Sequence, residues 1–148
     1  MTDGVYLRDR TSRVRVDHGR YLVLTGGTVA DLEEALDAAM RVSADHVVDR
    51  MFLPDPHPQL LAALTGTREV GEGEALGVIE TLSVSATTIA ADAGLKGTAV
   101  TLSEVFLPDG LGGKGYLLFR GPLMEVQAAV EIGAGRVPDR LIGSRVIA

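Results

Sequence analysis

Apolar positions recur with a period of two in some stretches of the chain and of 3.6 in others, which separates strands from helices. "VTLSEVFL" (residues 100–107) and "YLLFRG" (116–121) read as strands joined by the glycine hairpin "DGLGGKG" (109–115). The next stretch reads as a helix opening on Pro122, whose missing N–H suits a first helical turn. "RLIGSRVIA" (140–148) reads as a closing strand. Upstream, residues 75–99 read as a strand and a helix, with Ser83 near the cap and Val84, Ile89, Ala93 and Leu95 along the apolar side. The order β-α-β-β-α-β is the split βαβ plan of ferredoxin-like folds. The predicted class is therefore α+β, an antiparallel four-stranded sheet with helices on one face.

The first part of the chain repeats the last. Val5 falls over Val100, an offset of 95, and the match runs without a gap to Gly26 over Gly121. After one inserted residue, Val29, Asp31, Leu32, Ala35, Leu36 and Asp37 fall over Leu123, Glu125, Val126, Ala129, Val130 and Glu131. Apolar matched to apolar and acid to acid over this length marks an internal repeat. The helix of the first copy starts at Thr28 with Asp31 three residues on, and carries Val29, Leu32, Leu36, Ala39 and Met40 on one stripe. "VVDRMFL" (47–53) reads as its closing strand, "PDPHPQLLAALTG" as a turn and short helix ending at Gly66, and "TREVGEGE" as a polar linker. Residues 75–148 thus hold a complete unit and 67–74 a linker. Residues 5–66 hold a partial copy without the opening strand and helix.

A chain of 148 residues, 46% of them hydrophobic, buries roughly two thirds of its unfolded surface, enough for one ordinary domain or two small ones. The net charge of -6 argues against nucleic acid or an anionic membrane as main partner. Arg8, Arg10, Arg13, Arg15 and Arg20 form one local exception, read as a solvated strand face. The absence of cysteine excludes disulfides, thiolate metal sites and thiol nucleophiles. No stretch has the length of a membrane span or a signal-peptide core, so a cytoplasmic location and no membrane partner are expected.

Residues 110–115 match the G-x-G-x-x-G pattern of dinucleotide-binding turns, but that chemistry needs a helix N-terminus directly after the glycines. A strand follows instead, and Gly115 stands where a phosphate loop needs Ser or Thr. His18, His46 and His57 lack metal-ligand spacing, and Glu33 and Asp37 lie on the polar face of a helix. No cofactor, no metal and no catalytic residue are expected, and the protein is read as not an enzyme.

The succession "EALGVIET", "AADAGLKGTAVTL", glycine hairpin, "GYLLFRGPLMEVQAAVEIGAGRV" and "SRVIA" resembles the bacterial microcompartment shell domain, and the repeat resembles its tandem-domain, trimeric type. That resemblance implies a structural protein that assembles into pseudohexagonal tiles with a central pore for small metabolites. Its partners would be copies of itself, as a trimer or hexamer-like ring, and other microcompartment shell proteins. In the family the hairpin between the second and third strands faces the pore. Asp109, Gly110, Leu111, Gly112 and Gly113 match it here, and Val16, Asp17, His18 and Gly19 match it in the first copy. Glycine suits loops crowded on an axis because a Cβ there would fill the aperture. The motif "ADAGLK" places Asp92 and Lys96 at the tile edge, Lys96 in the position of the family's edge lysine. Pro54 and His57 resemble a Pro-Arg-Pro-His edge segment, with Asp55 in place of the arginine.

The partial copy lacks what would be the central strand of its sheet. It pairs its last strand with its third, borrows a strand from another chain, is the remnant of a longer protein, or belongs to a circularly permuted arrangement in which Val5 to Ala99 forms the complete unit; an exposed strand edge would favour association. A competing expectation is an oligomeric ferredoxin-like regulator that binds small ligands between subunits.

Overall fold

The structure, a computed structural model, describes residues 12–17, 20–106 and 113–148. Two strands, β1 (Ser12–Asp17) and β2 (Arg20–Thr25), form a hairpin by themselves. They lead into helix α1 (Val29–Ser43), where the Thr28 side chain accepts from the Asp31 N–H and so satisfies one of the orphan donors of the first turn. A short 3₁₀ turn (Ala44–His46) ends this region, and helix α2 (Pro58–Leu64) follows, stopped at Gly66 with φ 92°.

The second part is β3 (Ala75–Thr81), α3 (Val84–Gly97), β4 (Thr101–Phe106), β5 (Gly115–Gly121), α4 (Leu123–Arg136), a 3₁₀ turn (Pro138–Arg140) and β6 (Leu141–Ile147). The sheet order is β4-β5-β3-β6 with every pair antiparallel, the ferredoxin-like arrangement expected from the element order. Strands β3 and β5 alternate strictly between buried and half-buried positions. The buried set, Ala75, Gly77, Ile79 and Thr81 with Gly115, Leu117, Phe119 and Gly121, carries α3 and α4 on one face. The opposite face presents Leu76, Val78, Tyr116 and Leu118, and the Phe106 and Tyr116 rings stack at its margin with centroids 4.9 Å apart.

Close approach of the helices to the sheet and to each other depends on small residues. A Cβ on Gly94 would lie 2.5 Å from Phe119 Cζ, and one on Gly133 would lie 2.8 Å from the Ala90 carbonyl oxygen. The buried side of α3 is accordingly made mostly of small residues: Val84, Ala86, Thr87, Thr88, Ala90, Ala91, Asp92, Gly94 and Leu95. The expected apolar side shared Val84 and Leu95 with it, but Ile89 and Ala93 are only half-buried. Burying each large side chain at the centre, such as Phe119, Leu117 or Ile79, contributes about 1.5–3 kcal/mol.

The closing strand expected at residues 47–53 does not form. In a β4-β5-β3-β6 sheet the last strand hydrogen-bonds only to the first, and among the described residues the first copy contains no first strand. A strand-like pattern without a partner stays an extended coil. It does not turn back to pair with β2 either, since β2 pairs only with β1.

Candidate functional site

The extended segment after α1 is fastened along α3 at two points. At the start of α3, Ser83 Oγ caps the helix by accepting from Ala86 N–H (3.1 Å) and donates its own proton to the Asp49 carboxylate. Arg140 adds a bond from its guanidinium to the Val48 carbonyl oxygen (3.3 Å) and stands 4.0 Å from Asp49. Farther along α3, Asp92 Oδ1 accepts the His57 backbone N–H (2.8 Å) and Asp92 Oδ2 holds the Lys96 ammonium (2.7 Å). One carboxylate therefore joins the first copy's trailing segment to an exposed lysine of the second unit.

Lys96, Asp92 and His57 are brought together, then, by i, i+4 spacing on one helix and by the start of another. Asp92 is buried at 5% exposure with both oxygens occupied inside the chain, whereas the Lys96 side chain is 44% exposed. His57 caps α2, its Nδ1 accepting the Gln59 N–H (3.2 Å), which leaves the proton of a neutral ring on Nε2. Pro54 is exposed in the bend before it. Sequence reasoning missed Asp49, Ser83 as its partner, and Gln59. The Gln59 amide oxygen accepts the Leu102 N–H (2.8 Å) on edge strand β4, and α2 buries Leu60 and Leu64 beside that strand. A sequence signal existed only for the Ser83 cap, because the other partners lie 34 to 43 residues away.

Of the hairpin residues, Asp109, Gly110, Leu111 and Gly112 lie outside the described residues, as do His18 and Gly19 of the first copy. Gly113 has φ 86°, a conformation that strains any residue with a Cβ. Val16 and Asp17 do not lie in a loop. They end β1, where Val16 pairs with Tyr21 and Asp17 with Arg20. Strand β5 begins at Gly115 and the next helix in sequence only at Leu123, so no helix starts directly after the G-x-G-x-x-G residues. Among the described residues no group of His, Asp and Glu is placed to hold a metal ion, and no helix is long and apolar enough to cross a membrane.

With this geometry in hand, the likeness to known proteins is specific. Residues 75–148 match the family model of the BMC domain. Over 116 residues the chain is 34% identical to the bacterial microcompartment shell protein PduT of Citrobacter freundii, a match covering 78% of this chain and 63% of that protein. It is 35% identical over 74 residues to the carboxysome shell protein CcmK3 of a Synechocystis species, covering 50% of this chain and 70% of the relative. A solved structure of a microcompartment protein from Desulfitobacterium hafniense superposes with a TM-score of 0.80 at 28% identity, covering 94% of this chain and 78% of the other. These relatives are shell proteins, which leaves the small-ligand regulator without support. The sheet order, the helix pair on one face and this agreement in sequence lead to one assignment: the chain belongs to the BMC-domain family of microcompartment shell components.

Proposed function

We propose that the protein is a structural tile of a microcompartment shell, a homo-oligomer forming a trimer or hexamer-like ring that meets other shell proteins through its edges. In this reading residues 75–148 are the complete shell domain, 67–74 a linker, and 5–66 a partial second domain. One observation carries it: Lys96, on the exposed end of α3, is held in place by a buried carboxylate that also fixes the segment bearing His57 and Pro54. The ion pair biases the Lys96 ammonium toward one orientation at the exposed end of α3, from which it can meet carbonyl acceptors of a neighbouring tile. Asp92 then serves the edge indirectly, by orienting Lys96. The glycine hairpin lines the axial opening with Asp109, Gly110, Leu111, Gly112 and Gly113, and Val16, Asp17, His18 and Gly19 of the first copy alternate with it around the ring. No reaction is assigned to the protein.

Light scattering on the purified chain should give three or six chains per particle, and negative-stain images should show sheets or tubes. Lys96→Ala should keep the particle mass and lose the sheets. A chain that stays monomeric and forms no sheets at any accessible concentration would overturn the proposal.

A further inference from the structure

At the foot of the glycine hairpin the chain is seated on hydroxyl groups. Thr81 ends β3 and is the register partner of Gly115, the first residue of β5. Thr87 of α3 packs onto this pair, and both threonines are fully buried. Their hydroxyl oxygens are 2.7 Å apart, and both reach the Ser83 carbonyl oxygen, Thr81 at 2.7 Å and Thr87 at 3.1 Å. Each hydroxyl proton therefore has an acceptor inside the chain.

Gly115 is what admits the Thr87 hydroxyl. A Cβ built there would collide with Thr87 Oγ1 and would stand 3.3 Å from the Phe106 carbonyl oxygen. Phe106 ends β4, the other stem of the hairpin, and its ring stacks on Tyr116 at the opposite face of the sheet. Both stems are thus held at one level, by threonine hydroxyls on one face and by stacked rings on the other. Bulk alone does not account for threonine here, since replacing a buried, paired hydroxyl by hydrocarbon of the same shape is nearly neutral for stability. A satisfied buried network instead selects one arrangement of the groups it joins. It joins the end of β3 to the first turns of α3, with the start of β5 packed against it.

We propose that Thr87, braced by Thr81, is a positioning residue for the glycine hairpin: its hydroxyl fixes where the chain returns to the sheet at Gly115, and so the width of the opening that the hairpin lines. The width of the opening rests on the tile reading, whereas the seating of Gly115 does not. Thr88 provides an internal comparison. It is equally buried, but its hydroxyl donates to the Val84 carbonyl oxygen (2.8 Å) within its own helix.

The test compares Thr87→Val, Thr87→Ser and Thr88→Val in the full chain. Hydrogen exchange in residues 113–117 should quicken about fivefold in Thr87→Val, the equivalent of one net hydrogen bond. It should stay at the parent rate in Thr87→Ser, which keeps the hydroxyl, and in Thr88→Val, which loses a buried hydroxyl elsewhere. Should Thr87→Val fail to fold, Thr81→Val removes the other half of the pair and is read by the same exchange. Exchange that rises equally in the position 87 and position 88 valine variants, or in neither, would overturn the proposal, as would a Thr87→Ser variant no better than Thr87→Val. The opening is read separately. The chain has no cysteine, so Leu111→Cys supplies a single thiol, and mild oxidation should link chains whose hairpins converge. The rate of linking should change severalfold when Thr87→Val is added and not when Thr88→Val is added; an unchanged rate with Thr87→Val would overturn the tie between Thr87 and the opening. A parent that forms no links while the exchange results hold would instead overturn the tile reading and leave the seating of the hairpin standing.

Discussion

The fastening at Asp92 predicts an asymmetry between two neighbouring substitutions. The carboxylate is 5% exposed, one oxygen 2.8 Å from the His57 amide nitrogen and the other 2.7 Å from the Lys96 ammonium. A hydrogen bond to a charged group contributes about 1.5–3 kcal/mol, and a donor left unpaired where water reaches it poorly adds to the cost of losing it. The ion pair with Lys96 is worth far less, about 0.3–0.5 kcal/mol for an i, i+4 helix pair, because the lysine is 44% exposed and solvent screens it. Asp92→Ala should therefore cost about 2–3 kcal/mol and Lys96→Ala no more than about 0.5 kcal/mol. Asp92→Asn, which keeps an acceptor for the His57 N–H, should fall between them at about 1 kcal/mol. For a cooperative unit of this size the Asp92→Ala loss lowers the midpoint by about 10 °C. Urea or thermal unfolding followed by circular dichroism measures the differences, and hydrogen exchange at the His57 amide reports the bond directly. If Lys96→Ala were as costly as Asp92→Ala, or if Asp92→Ala stayed within about 0.5 kcal/mol of the parent, the assignment of the carboxylate as the joint between the two copies would be wrong.

Two further substitutions test the packing argument. Gly94→Ala gains about 1 kcal/mol of helix propensity but sets a methyl 2.5 Å from Phe119 Cζ and 3.0 Å from the Ala129 carbonyl, so a net loss of about 1–2 kcal/mol in thermal unfolding is expected; equal or higher stability would refute the close contact. Ser83→Ala removes the α3 cap and the donor to Asp49 together, and should cost about 1–2 kcal/mol and speed hydrogen exchange in residues 47–53. Unchanged exchange there would mean that Asp49 does not hold the segment.

Much of the second unit was legible along the chain because its signals are local. A short apolar run ended by Gly-Pro marked β5, Ser83 marked the start of α3, and a strand following the glycine hairpin argued against a phosphate turn. Pro122 came out one position outside α4, as its cap, a shift within the ordinary uncertainty of helix ends. Elements whose stability depends on distant partners were not legible in the same way. "VVDRMFL" has the pattern of a strand, but a strand exists only if another offers its backbone, and tertiary structure alone shows that none does among the described residues. The register of the first hairpin was equally hidden. The repeat places Val16 and Asp17 in a loop, while pairing with Tyr21 and Arg20 draws them into β1.

The site divides along the same line. Resemblance to the shell domain singled out Asp92 and Lys96 through the motif "ADAGLK", and His57 through its likeness to a Pro-Arg-Pro-His segment. That Asp92 faces inward, that it splits its two oxygens between a lysine and a backbone amide 35 residues away in the chain, and that Asp49 reaches the cap of the same helix were decided by the fold. Periodicity and caps are set by neighbours in sequence, so the chain alone determined the order of strands and helices and its own repetition. Which carboxylates are buried, and which strand stands without a partner, follow from long-range contacts that form only when the chain closes on itself.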